Sequence, residues 1–323
     1  MVRMAVDIGG ADTPQEELCR GALAALGYHP DLYLYLCGKE EAIAPLLAQK
    51  PAGYDRCELV ASPDIITNND NPMAAYRCTE SSLVRAFTLA RDGVADGVIT
   101  CGATGAVLTC AVTILGRLQG LRPILAVELI NKDGAPLLLL DAGANIDSRP
   151  ELYPSFARLG DAYMKSIGIP DPRIALLSNG AEDKKGCAAV KEANVLLHEA
   201  PLHFVGNIEA TRALLGETDV IVCDGFHGNI LLKSIEGTAK AVLAEVEAGL
   251  PAATPEVRGV LNAVRRKYDY NTQGGALLLG VKKPLMKGHG SATGEAVTHM
   301  IDRTCDLVRG GFVERVSGQL TQE

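Results

Sequence analysis

Asp224, His227, Asn229 and Lys233 fall in one short stretch, Cys223-Asp-Gly-Phe-His-Gly-Asn-Ile-Leu-Leu-Lys233, where an apolar run breaks on glycines and a helical segment begins. An acid, an imidazole, an amide and an ammonium around such an elbow can do general acid–base work. His289, in Gly-His-Gly-Ser-Ala-Thr-Gly294, offers a second imidazole of the same kind. A histidine in a turn also serves as a cap or a core partner, so both readings stand for His227 and His289. Lys184 and Lys185 follow another glycine turn, beside Glu182 and Asp183. A lysine there can clamp phosphate as a point charge, with Lys185 preferred on spacing, or it can belong to a solvated charge run.

Two further turns carry polar groups. Leu140-Asp-Ala-Gly-Ala-Asn-Ile-Asp147 gathers Asp141, Asn145 and Asp147 around Gly143, more than one turn cap requires. Its acids can orient donors or hold a substrate amine or hydroxyl, or they can do turn and cap chemistry alone. Gly102-Ala-Thr-Gly105 offers backbone N–H groups and the Thr104 hydroxyl to an anion at a helix start, although a tight turn without a ligand would read the same.

All these clusters share one setting. Apolar runs break into Gly-rich turns at Met4–Asp12, Gly97–Gly105, Leu137–Asp147, Ile174–Gly186, Val220–Asn229 and Pro284–Gly294. A strand that turns on glycines into a helix lets the backbone approach a ligand and presents a helix N-terminus to negative charge. Repetition along the chain points to a phosphate or acyl-phosphate-like ligand at a shared sheet edge. Strands alternating with helices through residue 240 predict an α/β, mainly parallel, doubly wound sheet. Asn71-Pro72 reads as a helix cap with proline at the first position. Residues 237–268 break the rhythm as a helical excursion, suited to dimerisation or partner contact, and Ser317–Glu323 reads as a frayed tail.

Composition closes off other classes. A net charge of −8 in 323 residues argues against nucleic acid or an anionic membrane as partner. The nine cysteines show no Cys-x-x-Cys and no metal-type pairing with the six histidines, so reduced thiols, no metal and a cytosolic setting are expected. Gly97–Gly116 has the length of a membrane span and no charge, but its glycines and threonines divide it into strand, turn and helix. Val107, Leu108, Ala111, Val112 and Leu115 cover more than one helix face, which predicts a core or interface helix near 107–118 and favours a homodimer. There is no Ser elbow, Walker A or His-Glu-x-x-His motif, and the glycines at 288, 290 and 294 only graze a dinucleotide fingerprint.

Taken together, these motifs resemble the phosphate acyltransferase (PlsX) family. The blocks that carry the resemblance run in order through nearly the whole chain. They are VDIGGADTPQE near the N-terminus, ESS at 80–82, CGATGA at 101–106 and LLLLDAGANIDSRPE at 137–151. KKG at 184–186, FVGNIE at 204–209, CDGFHGNILLKSIEG at 223–237, YDYNTQGGALLLG at 268–280 and GHGSA at 288–292 follow. The resemblance implies a Rossmann-like three-layer α/β/α fold, similar to isocitrate and isopropylmalate dehydrogenases and phosphotransacetylases. It further implies one two-lobed domain over 1–323, working as a cytoplasmic homodimer.

The implied reaction makes acyl phosphate from inorganic phosphate and an acyl-carrier-protein thioester, or another acyl thioester, for phospholipid synthesis and without a cofactor. A membrane-peripheral position and a downstream membrane acyltransferase as partner go with it. The implied catalytic group is Lys185, Asp224, His227 and Asn229. Substrate contacts are implied at Asp7, Gly9, Gly10, Ser81, Ser82, Gly102, Thr104, Gly105, Asp141, Gly143, Asn145, Asp147, Asn207, Lys233 and His289. The chain departs from the family pattern at Ala103, which replaces an amide, at a basic stretch reduced to Arg77, and in a shorter excursion. These departures leave acyl donor, chain length and membrane contact open. The rival readings are an amino-acid reductase subunit releasing acetyl phosphate, a nicotinamide-dependent dehydrogenase and a non-catalytic scaffold. Phosphate attack on a thioester needs little acid catalysis, because a free thiol has a pKa of about 8.5. It needs phosphate held in line and donors for the oxyanion.

Overall fold

The computed structural model describes residues 1–67, 69–118, 121–250, 254–269 and 274–320. The chain forms two compact units, one of Met1–Pro123 with Gly274–Glu323, the other of Ile124–Gln273.

The first unit opens with β1 (Val2–Asp7), α1 (Gln15–Tyr28), β2 (Leu32–Gly38), α2 (Glu40–Leu47), β3 (Cys57–Ala61), α3 (Ser82–Arg91), β4 (Gly97–Thr100) and α4 (Thr104–Cys110). Met4, Ala5 and Val6 are buried on both faces of β1, the near-continuous apolar run that parallel strands require. β1 pairs in parallel with β2 on one side and β4 on the other, and β2 pairs with β3. The strand order therefore reverses at β1. In open α/β sheets the crevice beyond the carboxyl ends of the strands at such a reversal is where ligands bind. Asp7 ends β1 and Thr100 ends β4, so both stand at that crevice. Asn71 caps the short Pro72–Tyr76 turn by accepting from Met73 N at 2.9 Å, as its spacing predicts.

The apolar helix expected near 107–118 is shorter and wider. α4 has seven residues and runs into a π turn, Ala111–Leu115, that stops at Gly116 with φ 83°. Val107, Ala111 and Leu115 are buried, while Val112 and Thr113 face outward. The stretch is core, and no described helix is long and apolar enough to cross a membrane.

The second unit holds β5 (Ile124–Ile130), β6 (Pro136–Leu140), α5 (Tyr153–Ser166), β7 (Ile174–Ser178), α6 (Ala188–Glu199), β8 (Phe204–Glu209), β9 (Val220–Val222), α7 (Gly225–Gly249) and α8 (Pro255–Tyr268). β5 and β6 are antiparallel; β6, β9, β7 and β8 follow side by side, all parallel. Their carboxyl ends therefore open on one edge, and Asp141, Cys223, Asp224, Ser178 and Ala210 collect there. Residues 237–268 fall in two helices: α7, which runs unbroken for 25 residues from the elbow itself, and α8. Thr254 caps α8, with Pro255 in its first turn.

The chain returns to the first unit with β10 (Ala276–Leu279), β11 (Leu285–Lys287), α9 (Gly294–Arg309) and α10 (Phe312–Leu320). β11 runs parallel to β4 and antiparallel to β10. α9 meets α1 where Gly21 and Gly294 touch backbone to backbone, an approach that leaves no room for a Cβ. The tail expected from Ser317 is instead the last turns of α10; residues 321–323 lie outside the described residues. The architecture is α/β, mostly parallel and flanked by helices, as the alternation predicts.

Candidate active site

Asp224 is the N-cap of α7. One oxygen, Oδ1, accepts from Phe226 N at 3.0 Å and His227 N at 2.9 Å, so it satisfies two of the donors a helix start leaves open. The other, Oδ2, lies 2.6 Å from His227 Nδ1 and accepts from the Tyr153 hydroxyl at 3.4 Å. Burial and the Asp224 charge raise the pKa of Tyr153, which keeps that hydroxyl a donor. With Nδ1 held, His227 has Nε2 available, and its side chain is 56% exposed. The pair borders a cavity of about 440 Å³ that Tyr153, Ser178, Cys187, Val190 and Leu231 also line. A carboxylate-oriented imidazole on a mostly apolar cavity is equipped to take up and return one proton.

The loop after β6 locks this helix start in place. Asp141 accepts at Oδ1 from the amides of Leu125, Gly143 and Ala144, at 3.1, 3.0 and 2.9 Å, and at Oδ2 from both nitrogens of Asn145, each at 2.7 Å. Burial raises its pKa and these donors oppose the rise. Its oxygens thus accept from its own loop and from β5, which holds the loop in place. Gly225 N donates to Asn145 O at 2.7 Å, and Gly228 sits against the Asp141 carbonyl with no space for a Cβ. Two glycines of one motif thus admit the loop of the other. Gly228 N also donates to Asp224 O, so the first four amides of α7 are all taken within the chain. This elbow does not cradle an anion with its backbone, contrary to the expectation for Gly-rich helix starts.

The remaining second-unit candidates are spread out. Asn229 is exposed on α7, with its Cβ about 4.0 Å from where a Gly143 side chain would begin. Gly143 itself has φ 139°, open to glycine alone. Asp147 is exposed. Lys233 pairs with Glu236 at 2.9 Å. Lys185 is exposed on a turn closed by its own N–H to Glu182 O, and it is not among the residues lining the His227 cavity. Asn207 donates to Glu182 O at 2.8 Å and accepts from Asn194 at 3.0 Å, so its amide pins that turn.

In the first unit, Asp7, Thr100 and Gly102 form a buried relay. Gly102 N donates to Thr100 Oγ1 at 3.0 Å, and that hydroxyl donates to Asp7 Oδ2 at 2.7 Å. Asp7 Oδ1 accepts from Gly9 N at 3.1 Å. Ser82 lies on the same carboxyl without a hydrogen bond of standard geometry, close enough to Gly9 to exclude a Cβ there. Burial pushes Asp7 up to about 6, against the pull of the Ser82, Thr100 and Gly9 donors. Gly10 has φ 79° and packs on Ile66 O.

Ser81 is the N-cap of α3, its side chain accepting from Val84 N. Gly102 likewise spends its N–H internally. At the start of α4, Ala103 provides no side-chain cap, which leaves the first-turn amides around Thr104 and Gly105 to an anion or water. Gly105 is glycine for packing: a Cβ would meet Pro72 Cγ at 2.6 Å. His289 Nδ1 accepts from Ser291 N at 3.3 Å and lies 2.9 Å from Ser291 Oγ, a local turn. Among the described residues no cluster of His, Cys, Asp and Glu is arranged to hold a metal ion.

A family model described as "Fatty acid synthesis protein" matches residues 2–315. A phosphate acyltransferase of Geobacillus thermodenitrificans is 36% identical over 328 residues, 99% of each chain. One from Halalkalibacterium halodurans is 39% identical over 316 residues, 95% of this chain and 93% of the other. The chain belongs to the phosphate acyltransferase family. Its fold is shared more widely. The EutD phosphotransacetylase of Staphylococcus aureus aligns with a TM-score of 0.61 at 16% identity, over 95% of this chain and 94% of the other. A 4-hydroxythreonine-4-phosphate dehydrogenase of Klebsiella pneumoniae aligns at 0.53 and 14%, over 95% and 98%.

Reading the motifs alone missed Tyr153, Ser178 and Cys187. Tyr153 sits in an aromatic helix start with no local chemical pattern, and Ser178 ends a plain apolar strand. Cys187 follows the lysine turn directly, and that adjacency was the available signal.

Proposed function

We propose that the chain forms an acyl phosphate from inorganic phosphate and an acyl thioester, with His227 as the proton-transferring group. The single observation that carries the residue assignment is the Asp224–His227 contact of 2.6 Å on the cavity wall. A phosphate oxygen attacks the thioester carbonyl, the new C–O bond forms, and the carbonyl oxygen takes up negative charge. His227 Nε2 removes the proton of the attacking phosphate and returns it to the sulfur as the C–S bond breaks. Asp224 keeps the ring in the needed tautomer and stabilises it when protonated. The reaction class is that of the family; the roles of Asp224 and His227 are our reading of the geometry.

Taken alone, the uncapped first turn of α4 at Ala103–Thr104 favours an anion. Lys185 adds a mobile positive charge on the turn that leads into Gly186 and Cys187, which do line the cavity. We further read the protein as a cytoplasmic homodimer handing acyl phosphate to a membrane acyltransferase. Val246 on α7, Leu250 just past its end and Val260 on α8 are exposed apolar residues that a partner subunit would cover. A 34 kDa species in light scattering at micromolar concentration would remove the dimer from this reading. The test of the reaction is hydroxylamine trapping of acyl phosphate from phosphate and acetyl-, butyryl- or palmitoyl-thioesters, on carrier protein and on coenzyme A. Absence of hydroxamate from every donor overturns it.

A further inference from the structure

We propose that the acyl chain of the thioester lies along α7, in a groove that continues from the His227 cavity towards α8, and that this groove decides which chain lengths are accepted. The inference rests on the acyl-transfer reading above. Ala210, Leu231 and Ser234 line both the His227 cavity and a second cavity of about 600 Å³, so the two are one path. Beyond the junction the walls are Ile235, Ala239, Val242 and Leu243 of α7 with Val264 and Tyr268 of α8. Among the described residues no charged side chain lines this second stretch; its polar members are hydroxyls.

The lining is built by helical spacing. Leu231, Ile235, Ala239 and Val242 recur at intervals of three and four, which puts them on one stripe of α7. Val242 is 53% exposed and Ile235 half-buried, so the stripe is not consumed by the unit's own core. An apolar groove alone does not name its occupant. Here one end opens on Asp224 and His227, the groups that act at a thioester carbonyl, and the other runs on along an uncharged wall. A single molecule with a polar reacting head and an alkyl tail matches that sequence of surfaces. Small residues at Ser234 and Ala239 leave the width an unbranched chain needs, and a bulky side chain at either would narrow it.

The experiment is a chain-length series. Acetyl-, butyryl-, octanoyl- and palmitoyl-coenzyme A are compared by hydroxamate formation, and palmitoyl-coenzyme A binding is measured separately by titration calorimetry. Burial in the groove is expected to raise affinity roughly three- to fourfold per methylene between butyryl and octanoyl. Ala239→Phe is expected to lower kcat/KM for palmitoyl at least tenfold more than for acetyl and to weaken palmitoyl-coenzyme A binding. Val242→Asp, at an exposed position that tolerates a charge in folding, is expected to do the same and serves if Ala239→Phe does not fold. Equal rates across the series, or a palmitoyl-to-acetyl ratio unmoved in both variants, overturns the groove while the reaction stands. No hydroxamate from any donor overturns the reaction, and the groove is then decided by whether the variants weaken palmitoyl-coenzyme A binding. A halved mass in light scattering with the ratio unmoved assigns the face to a second copy of the chain and overturns the proposal.

Discussion

His227 Nδ1 stands 2.6 Å from one oxygen of Asp224 while the other oxygen of the same carboxylate caps the helix that carries the histidine. One side chain therefore fixes both the helix start and the imidazole, and the two duties can be separated. Asparagine is as good an N-cap as aspartate. Asp224→Asn should keep α7 and shift melting by no more than a few degrees. Its neutral amide cannot stabilise an imidazolium and allows the wrong tautomer, so kcat should fall on the order of 10²-fold or more. A kcat within a few-fold of the unaltered protein, at saturating phosphate and thioester, would remove His227 from the proton transfer.

Asp141 is the larger stability risk, because five donors converge on its carboxylate. Asp141→Ala takes the acceptor from the amides of Leu125, Gly143, Ala144 and Asn145 at once. An unsatisfied buried donor costs about 1–3 kcal/mol, and the half-buried loop lets water replace some of the four. The expected net loss is about 3–5 kcal/mol, read as a clear drop in denaturant midpoint. A midpoint unchanged within error would show that the loop holds itself without the carboxylate.

Much of this was legible in the sequence because it depends on local pattern. Strand, glycine turn and helix follow from apolar runs and from residues that break them, and Asn71-Pro72 announces its own turn. The pairing of the two most distinctive motifs also has a local trace, since Gly225 and Gly228 are the glycines that let Asn145 and Asp141 come close. What stayed hidden depends on partners distant in the chain. Gly105 reads as an anion-turn glycine, yet Pro72 is what excludes a side chain there. Asn207 and Ser81 have the residue types of ligand contacts, and only the fold shows their polar atoms holding a turn and a helix start. The break of α4 into a π turn at Ala111 has no signature in an unbroken apolar run.

Lys185 is a charge at the surface, and its effect should behave as one. If the exposed ammonium attracts phosphate towards the cavity whose wall includes Gly186 and Cys187, Lys185→Ala should raise the KM for phosphate with kcat changed only a few-fold. Screening shortens the reach of such a charge to about 8 Å at physiological ionic strength and to about 3 Å at 1 M. The difference between Lys185→Ala and the unaltered protein should therefore narrow as salt rises. A penalty in kcat that persists unchanged at high salt would instead mean direct contact with the reacting group.

Asp7 makes a pH prediction with a definite sign. Burial raises its pKa from 3.8 to about 6, so between those values the folded protein keeps a proton that the unfolded chain has released. The stability this group contributes is complete below the unfolded pKa and is lost as pH rises through the folded one. At pH 8 the ionised carboxyl is buried at a cost of about 3 kcal/mol, from roughly two units at 1.36 kcal/mol each. Asp7→Asn keeps one oxygen as acceptor for Gly9 N, turns its NH2 as donor to Thr100 Oγ1, and carries no charge. Its melting temperature should exceed that of the unaltered protein most at pH 8, with the gap shrinking steadily towards pH 5. Measuring both proteins at each pH cancels the titration of every other group. A gap of constant size, or an unaltered protein that gains on the variant as pH rises, would show that Asp7 is held ionised in the fold and that its donors outweigh its burial.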